Sequence, residues 1–274
     1  MKYFIDTEFH EYKRKPFLSK AVDTIELISI GIVAEDGREY YAISKDFDIK
    51  AAWKNEWLRE NVLSSIYEEN VHVSMRGICP FSFSSIKAII KGFGKSNKQI
   101  AEGIVDFVNP NIQDLIEMFT RHDQWLEIYY PKEFDYIKVH NTNIPEAYWK
   151  SGADGNNKNK KLIYNQPEFY GYYSDYDWVV FCWLFGRMID LPKGFPMYCI
   201  DLKQMFDDRA SKYNRNDFFT AMDFKDENLA ELTQEEKVKH LKMHVSYPSQ
   251  TNEHNALFDA KWNMDLYKFI KQLR

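Results

Sequence analysis

Residues 2–11 read KYFIDTEFHE. Tyr3, Phe4 and Ile5 are apolar, and two carboxylates, Asp6 and Glu8, follow at alternate positions. The apolar run predicts a short strand over residues 2–6. Side chains two apart on a strand share one face, so Asp6 and Glu8 point the same way. Two acids on one face repel unless positive charge lies between them, and a hard divalent cation with oxygen ligands meets that need. Taken alone, Asp-x-Glu is more often a loop start with two solvated acids.

Working outward, IELISIGIVAE at 25–35 is a longer run rich in β-branched residues, EDG at 35–37 supplies a turn, and REYYAIS at 38–44 returns as a strand. The spacing predicts helices over 51–63 and over 96–108, the second with Ser96 as its cap. EFYGYY at 168–173 reads as a strand, SDYDWVVFCWLFGRM at 174–188 as a helix opening on acids, PMYCID at 196–201 as a strand and LKQMFDDRAS as a helix. The chain closes on HNALFDAKWNMDLYKFIKQL, with a period near 3.6. Strands first, then strands alternating with helices, predict an α/β or α+β layer fold with a mixed sheet. The polar segment SGADGNNKNKK at 151–161 reads as a mobile loop, and the charged stretch 212–250 as a helical excursion. No internal repeat interrupts the chain.

Two further acidic positions stand in matching contexts. Asp177 follows a predicted strand and opens a helix, beside Asp175; a helix cap is the plain reading of either. Because Asp177 directly precedes the apolar run, it is the better ligand, with Asp175 as cap or solvated acid. His254 and Asp259 lie five apart near the start of the terminal helix, and no other histidine has an Asp five residues on. On one helix they would sit about 140° apart. A His254 on the loop before the helix could instead swing over a site into which Asp259 points.

In order and context these residues resemble the DEDDh 3′–5′ exonucleases. More closely, YFIDTEF, TIELISIGIVAEDGREYYAIS, YYSDYDWVVFCWLFG and LPKGFPM resemble the RNase AS family, the polyadenylate-specific 3′-exoribonucleases of bacteria. The likeness covers 1–63, 96–108, 168–209 and 252–274. It is absent from 109–167 and poor over 64–95 and 212–250, so the chain reads as a single exonuclease domain with insertions at about those three places. The resemblance implies a ribonuclease H-like α/β fold, a mixed sheet flanked by helices. It also implies two divalent ions, Mg2+ or Mn2+, held by Asp6, Glu8, Asp177 and Asp259, with His254 as general base. An imidazole, with an ordinary pKa near 6.5, can take a proton from water close to neutral pH, and two metals about 4 Å apart suit in-line displacement at phosphorus. The substrate so implied is single-stranded RNA with a free 3′ end, preferably an adenylate tract, and family members form homodimers. Phe9 could stack a terminal base or pack beneath one, with core packing as its plain reading; Ile28 and Ser29 would adjoin the pocket, and Arg209 in DDRAS falls where the family carries an arginine, as substrate or interface contact or as an exposed salt-bridging residue.

The bulk numbers set the remaining limits. A net charge of −5 is not the footprint of a protein that holds nucleic acid mainly through phosphate contacts. Metal ions between acids and phosphates would remove that objection. Cys79, Cys182 and Cys199 are an odd set without CxxC and read as reduced thiols of a cytoplasmic protein. Asp6 and Glu8 arrive too early for a signal peptide, and WVVFCWLF at 178–185 is too short to span a bilayer. The rival readings are an exonuclease for DNA ends or short oligoribonucleotides, and a nucleic-acid-binding module whose inserts form a docking surface.

Overall fold

The computed structural model describes residues 1–15, 20–108, 149–150, 161–162, 167–212 and 233–273. Strand β1 (Lys2–Arg14) pairs antiparallel with β2 (Val22–Ala34), which pairs antiparallel with β3 (Glu39–Ile43). Strands β4 (Trp149–Lys150) and β5 (Lys161–Leu162) form a separate antiparallel ribbon. Strands β6 (Glu168–Gly171) and β7 (Ile200–Asp201) complete the main sheet in parallel with β1, giving the order β3-β2-β1-β6-β7. The first strand of the chain is therefore the central one.

The alternation of β1 sends its side chains to two cores. Tyr3 and Ile5 pack with Phe169 and with α4 (Asn97–Val108) and α5 (Asp175–Phe185) on one face. Phe4 packs on the other face with α6 (Leu202–Ser211), α7 (Gln234–Lys242) and α8 (Ala256–Gln272). A third core gathers Ile28 and Ile43 of the sheet with α1 (Ile49–Lys54), a π-helical turn (Leu58–Leu63), α2 (Ser64–Asn70) and α3 (Phe83–Phe93). A mixed five-stranded sheet covered by helices is a ribonuclease H-like α/β arrangement. None of the described helices is long and apolar enough to cross a membrane.

Several elements differ from their sequence expectations. β1 runs to Arg14 because its pairing with β2 continues past the acids, across a register shift between Glu8 and Phe9. The single helix expected over 51–63 is broken at Asn55, whose side-chain Oδ1 accepts from the Leu58 amide at 3.2 Å. The strand expected over 196–201 shrinks to Ile200–Asp201. Its last residue caps α6 by accepting from the Gln204 amide at 2.8 Å, and also accepts from the Ser174 amide at 2.9 Å, which fixes the start of α5. Residues 64–95 are α2, α3 and their connection, packed on the sheet. The loop expected over 151–161 lies outside the described residues except for Lys161. The excursion expected over 212–250 contains α7, with 213–232 outside the description.

Candidate active site

The site begins at the end of the buried half of β1. Asp6 pairs with Gly31 of β2 across the sheet, and Glu8 with Ser29. Gly31 leaves room for the first turn of α8. A Cβ placed on it would come within 2.1 Å of the Ala256 carbonyl oxygen. α8 is capped by Asn255, whose side chain accepts from the amides of Leu257 and Phe258 at 3.1 and 3.3 Å. Its first turn carries Asp259, so the close approach at Gly31 sets Asp259 beside Asp6 and Glu8. One carboxylate oxygen from each of these three residues lies within 4.8 Å of the others.

The fourth acid comes from the opposite face of the sheet. Asp177 lies in the first turn of α5, and its Oδ1 accepts from the Thr7 amide at 2.8 Å and from Thr7 Oγ1 at 2.6 Å. Asp175, two residues earlier, is exposed, and the helix cap is Ser174. All four acids line one cavity of about 660 Å3.

Burial and mutual repulsion hold these carboxyls above their ordinary range. Asp6 is raised well above it, by burial first and then by the charges of Asp177, Glu8 and Asp259. Glu8 is pushed up to about 8 by burial, with Asp259 and Asp177 adding to the effect. Asp177 rises only to about 6, because the Thr7 hydrogen bonds favour its ionised form against burial. Asp259 is raised by burial, opposed by hydrogen bonds from Gln250 and from the His254 amide.

Among the described lining residues none is a lysine or arginine. Asn263, on α8 one turn after Asp259, donates from Nδ2 to the Ile5 carbonyl at 2.9 Å, while its buried Oδ1 has no partner among the described residues. An oxygen-rich, cation-free cavity fits hard divalent ions.

Around the acids stand His254 and a set of rings. His254 lies just before α8, with a left-handed backbone (φ 66°). Its amide donates to Asp259 Oδ2 at 2.9 Å, and Gln250 Nε2 donates to Oδ1 at 2.7 Å, so both oxygens of Asp259 are oriented. The imidazole meets Trp57 edge to face, with centroids 4.7 Å apart at 71°. Phe9 stacks on Tyr176 at 5.8 Å. The structure thus gathers Asp6, Glu8, Phe9, Asp177, His254 and Asp259 into one cavity.

It does not bring Ile28, Ser29 or Arg209 there. Ile28 and Ser29 are 0% and 1% exposed within the sheet and do not line the cavity. Arg209 lies in the last turn of α6. Thr7, Trp57, Gln250 and Asn263 were not anticipated. A signal existed for Asn263, since Asn255, Asp259 and Asn263 form a polar i, i+4, i+8 stripe on an otherwise apolar helix face. Gln250 carries no such signal.

Two curated proteins resemble this chain, and both are named 3′-5′ exoribonuclease. They come from two strains of Mycobacterium tuberculosis, CDC 1551 and H37Rv. Each is 29% identical to it over 210 residues, which cover 77% of this chain and 76% of the relative. No protein-family model matches the sequence.

Proposed function

We propose that this protein is a metal-dependent 3′-5′ exoribonuclease that shortens single-stranded RNA from its 3′ end, with a preference for adenylate tracts. The observation that carries the reading is the convergence of Asp6, Glu8, Asp177 and Asp259, from three elements distant in sequence, in one cavity free of lysine and arginine among the described residues. The naming of both relatives supports RNA as substrate and the 3′ end as the point of attack. The adenylate preference rests on the RNase AS resemblance alone, as does a homodimer. The free cysteines suit a cytoplasmic location.

Asp6, Glu8, Asp259 and Asp177 would hold two Mg2+ or Mn2+ ions. Bound there, the ions supply the positive charge that admits a phosphodiester and offsets charge on the leaving oxygen. The chain's own groups do the rest. Thr7 holds Asp177, and Gln250 with the His254 amide holds Asp259, so the carboxylates are oriented before substrate arrives. A ring nitrogen of His254, carried on the loop ahead of α8, takes the proton of the attacking water. Phe9 stacks on the terminal base, which only an unpaired end can present.

The test is 5′-labelled single-stranded RNA. The expected result is a ladder shortening from the 3′ end with release of 5′-mononucleotides, fastest on the adenylate homopolymer and blocked by a 3′-phosphate. His254→Ala should be slower by roughly 10²–10⁴-fold with Mn2+ binding retained. Cleavage of circular RNA would identify an endonuclease instead. Undiminished hydrolysis in excess chelator would overturn the metal assignment, and equal rates on all homopolymers would remove the adenylate preference alone.

A further inference from the structure

We propose that Tyr173 is a stacking platform for the nucleobase on the 5′ side of the scissile phosphate, so that the cavity grips a single strand beyond its terminal nucleotide. The inference rests on the exoribonuclease reading above and adds a second base-binding position to it.

Tyr173 lies between the end of β6 and the start of α5 and lines the cavity that holds the acids. Its side chain is largely solvent-facing, with 63% exposure. Its backbone is left-handed (φ 54°), a conformation that bulky L-residues rarely adopt. An exposed ring on a strained backbone is not explained by core packing. Strain of this kind persists where the surroundings over-determine it, and it clusters at ligand sites.

The surroundings do hold this ring. Tyr172 and Tyr173 pack T-shaped, with centroids 4.8 Å apart at 70°, and Tyr172 packs T-shaped with Trp262 at 5.1 Å and 86°. The Lys203 ammonium lies over one face of the Tyr173 ring, 5.8 Å from its centroid. Among the described residues no ring stacks on Tyr173 face to face. The two rings differ in depth. Phe9 adjoins Glu8 and is half-buried, which suits a terminal base beside the acids; Tyr173 lines the same cavity and is exposed, which suits the next base along the strand. Stacking tolerates any base because every base has a π-face, so Tyr173 contributes grip and not base preference.

Two substrates separate this position from the catalytic one. One is a ten-nucleotide single-stranded RNA. The other is the p-nitrophenyl ester of adenosine 5′-monophosphate, which offers one nucleotide and a scissile phosphodiester but no second base. Tyr173→Gly removes the ring and relaxes the backbone, since glycine accepts positive φ, so the melting temperature should not fall. The ratio of kcat/KM on the decamer to that on the ester should fall roughly tenfold, a typical loss for one stacked base. Tyr173→Phe should keep the wild-type ratio. An unchanged ratio in Tyr173→Gly overturns the platform while leaving the exonuclease reading intact. An equal loss in Tyr173→Phe also overturns it, because the hydroxyl would then carry the effect. If the wild-type protein with Mn2+ hydrolyses neither substrate, the exonuclease reading falls and the platform with it.

Discussion

Thr7 stands between the two acids of β1, with its side chain on the opposite face. That is the face from which Asp177 arrives, and Thr7 gives it two hydrogen bonds, from the amide at 2.8 Å and from Oγ1 at 2.6 Å. The consequence is visible in the contrast between two buried acids. Glu8, with no opposing hydrogen bond, is pushed to about 8, and Asp177 only to about 6. A carboxylate that stays ionised near neutral pH is a better metal ligand, so in the proposed site Thr7 would tune Asp177 without touching an ion. Thr7→Val keeps the shape and the backbone bond and removes the Oγ1 bond. Its expected effects are an upward shift of the Asp177 pKa, read by carboxyl NMR titration, and a loss of about 10–100-fold in Mn2+ affinity, typical of losing an outer partner of a ligand. An unchanged titration with unchanged affinity would show that the backbone bond alone suffices.

At the scale of elements, the decisive contact is the start of α8 against β2. Gly31 pairs with Asp6 on one side and admits the Ala256 carbonyl on the other. Gly31→Ala would place a methyl group against backbone, not against a side chain that could swing away. It should cost about 1–3 kcal/mol, the usual range for overpacking, seen as a lower urea midpoint. Because α8 must shift, Asp259 shifts with it, and Mn2+ affinity should fall beyond what stability alone explains. A Gly31→Ala protein with wild-type affinity would separate the helix position from the metal site. This contact also marks what was legible in the sequence. The acids, the loop position of His254 and the alternation of strands and helices could be read locally, because each is written in neighbouring residues. Ile28 and Ser29 could not be placed, since whether a residue of a largely apolar strand faces a pocket or a core depends on what covers it. Here the residues from Leu58 to Ile90 cover Ile28. The break at Asn55 was equally hidden, because helical spacing on both sides of it persists across the interruption.

For the whole molecule, the four acids form a store of electrostatic stress that depends on pH and on bound cations. Their folded pKa values lie above the ordinary carboxylate range, so these four sites together hold more protons in the folded chain than in the unfolded chain between about pH 4 and pH 8. Where the folded state binds more protons, stability falls as pH rises. Metal-free protein should therefore be most favoured by these groups below the unfolded pKa values of 3.8 and 4.5, and should lose that contribution as pH climbs through about 6 for Asp177 and about 8 for Glu8. Divalent ions bound as proposed would reverse the sign, because they would bind the ionised folded site and stabilise it by mass action. Melting curves at pH 5 and pH 8, each with chelator and with Mn2+, test this directly. The Mn2+-induced rise in melting temperature should be larger at pH 8, and Glu8→Gln should flatten the downward slope of the chelated protein while shrinking the rise. Other groups titrate in the same window, so the comparison that decides is wild type against Glu8→Gln. Identical slopes in the two, with chelator present, would mean that Glu8 is not the strained acid that burial and its neighbours make it.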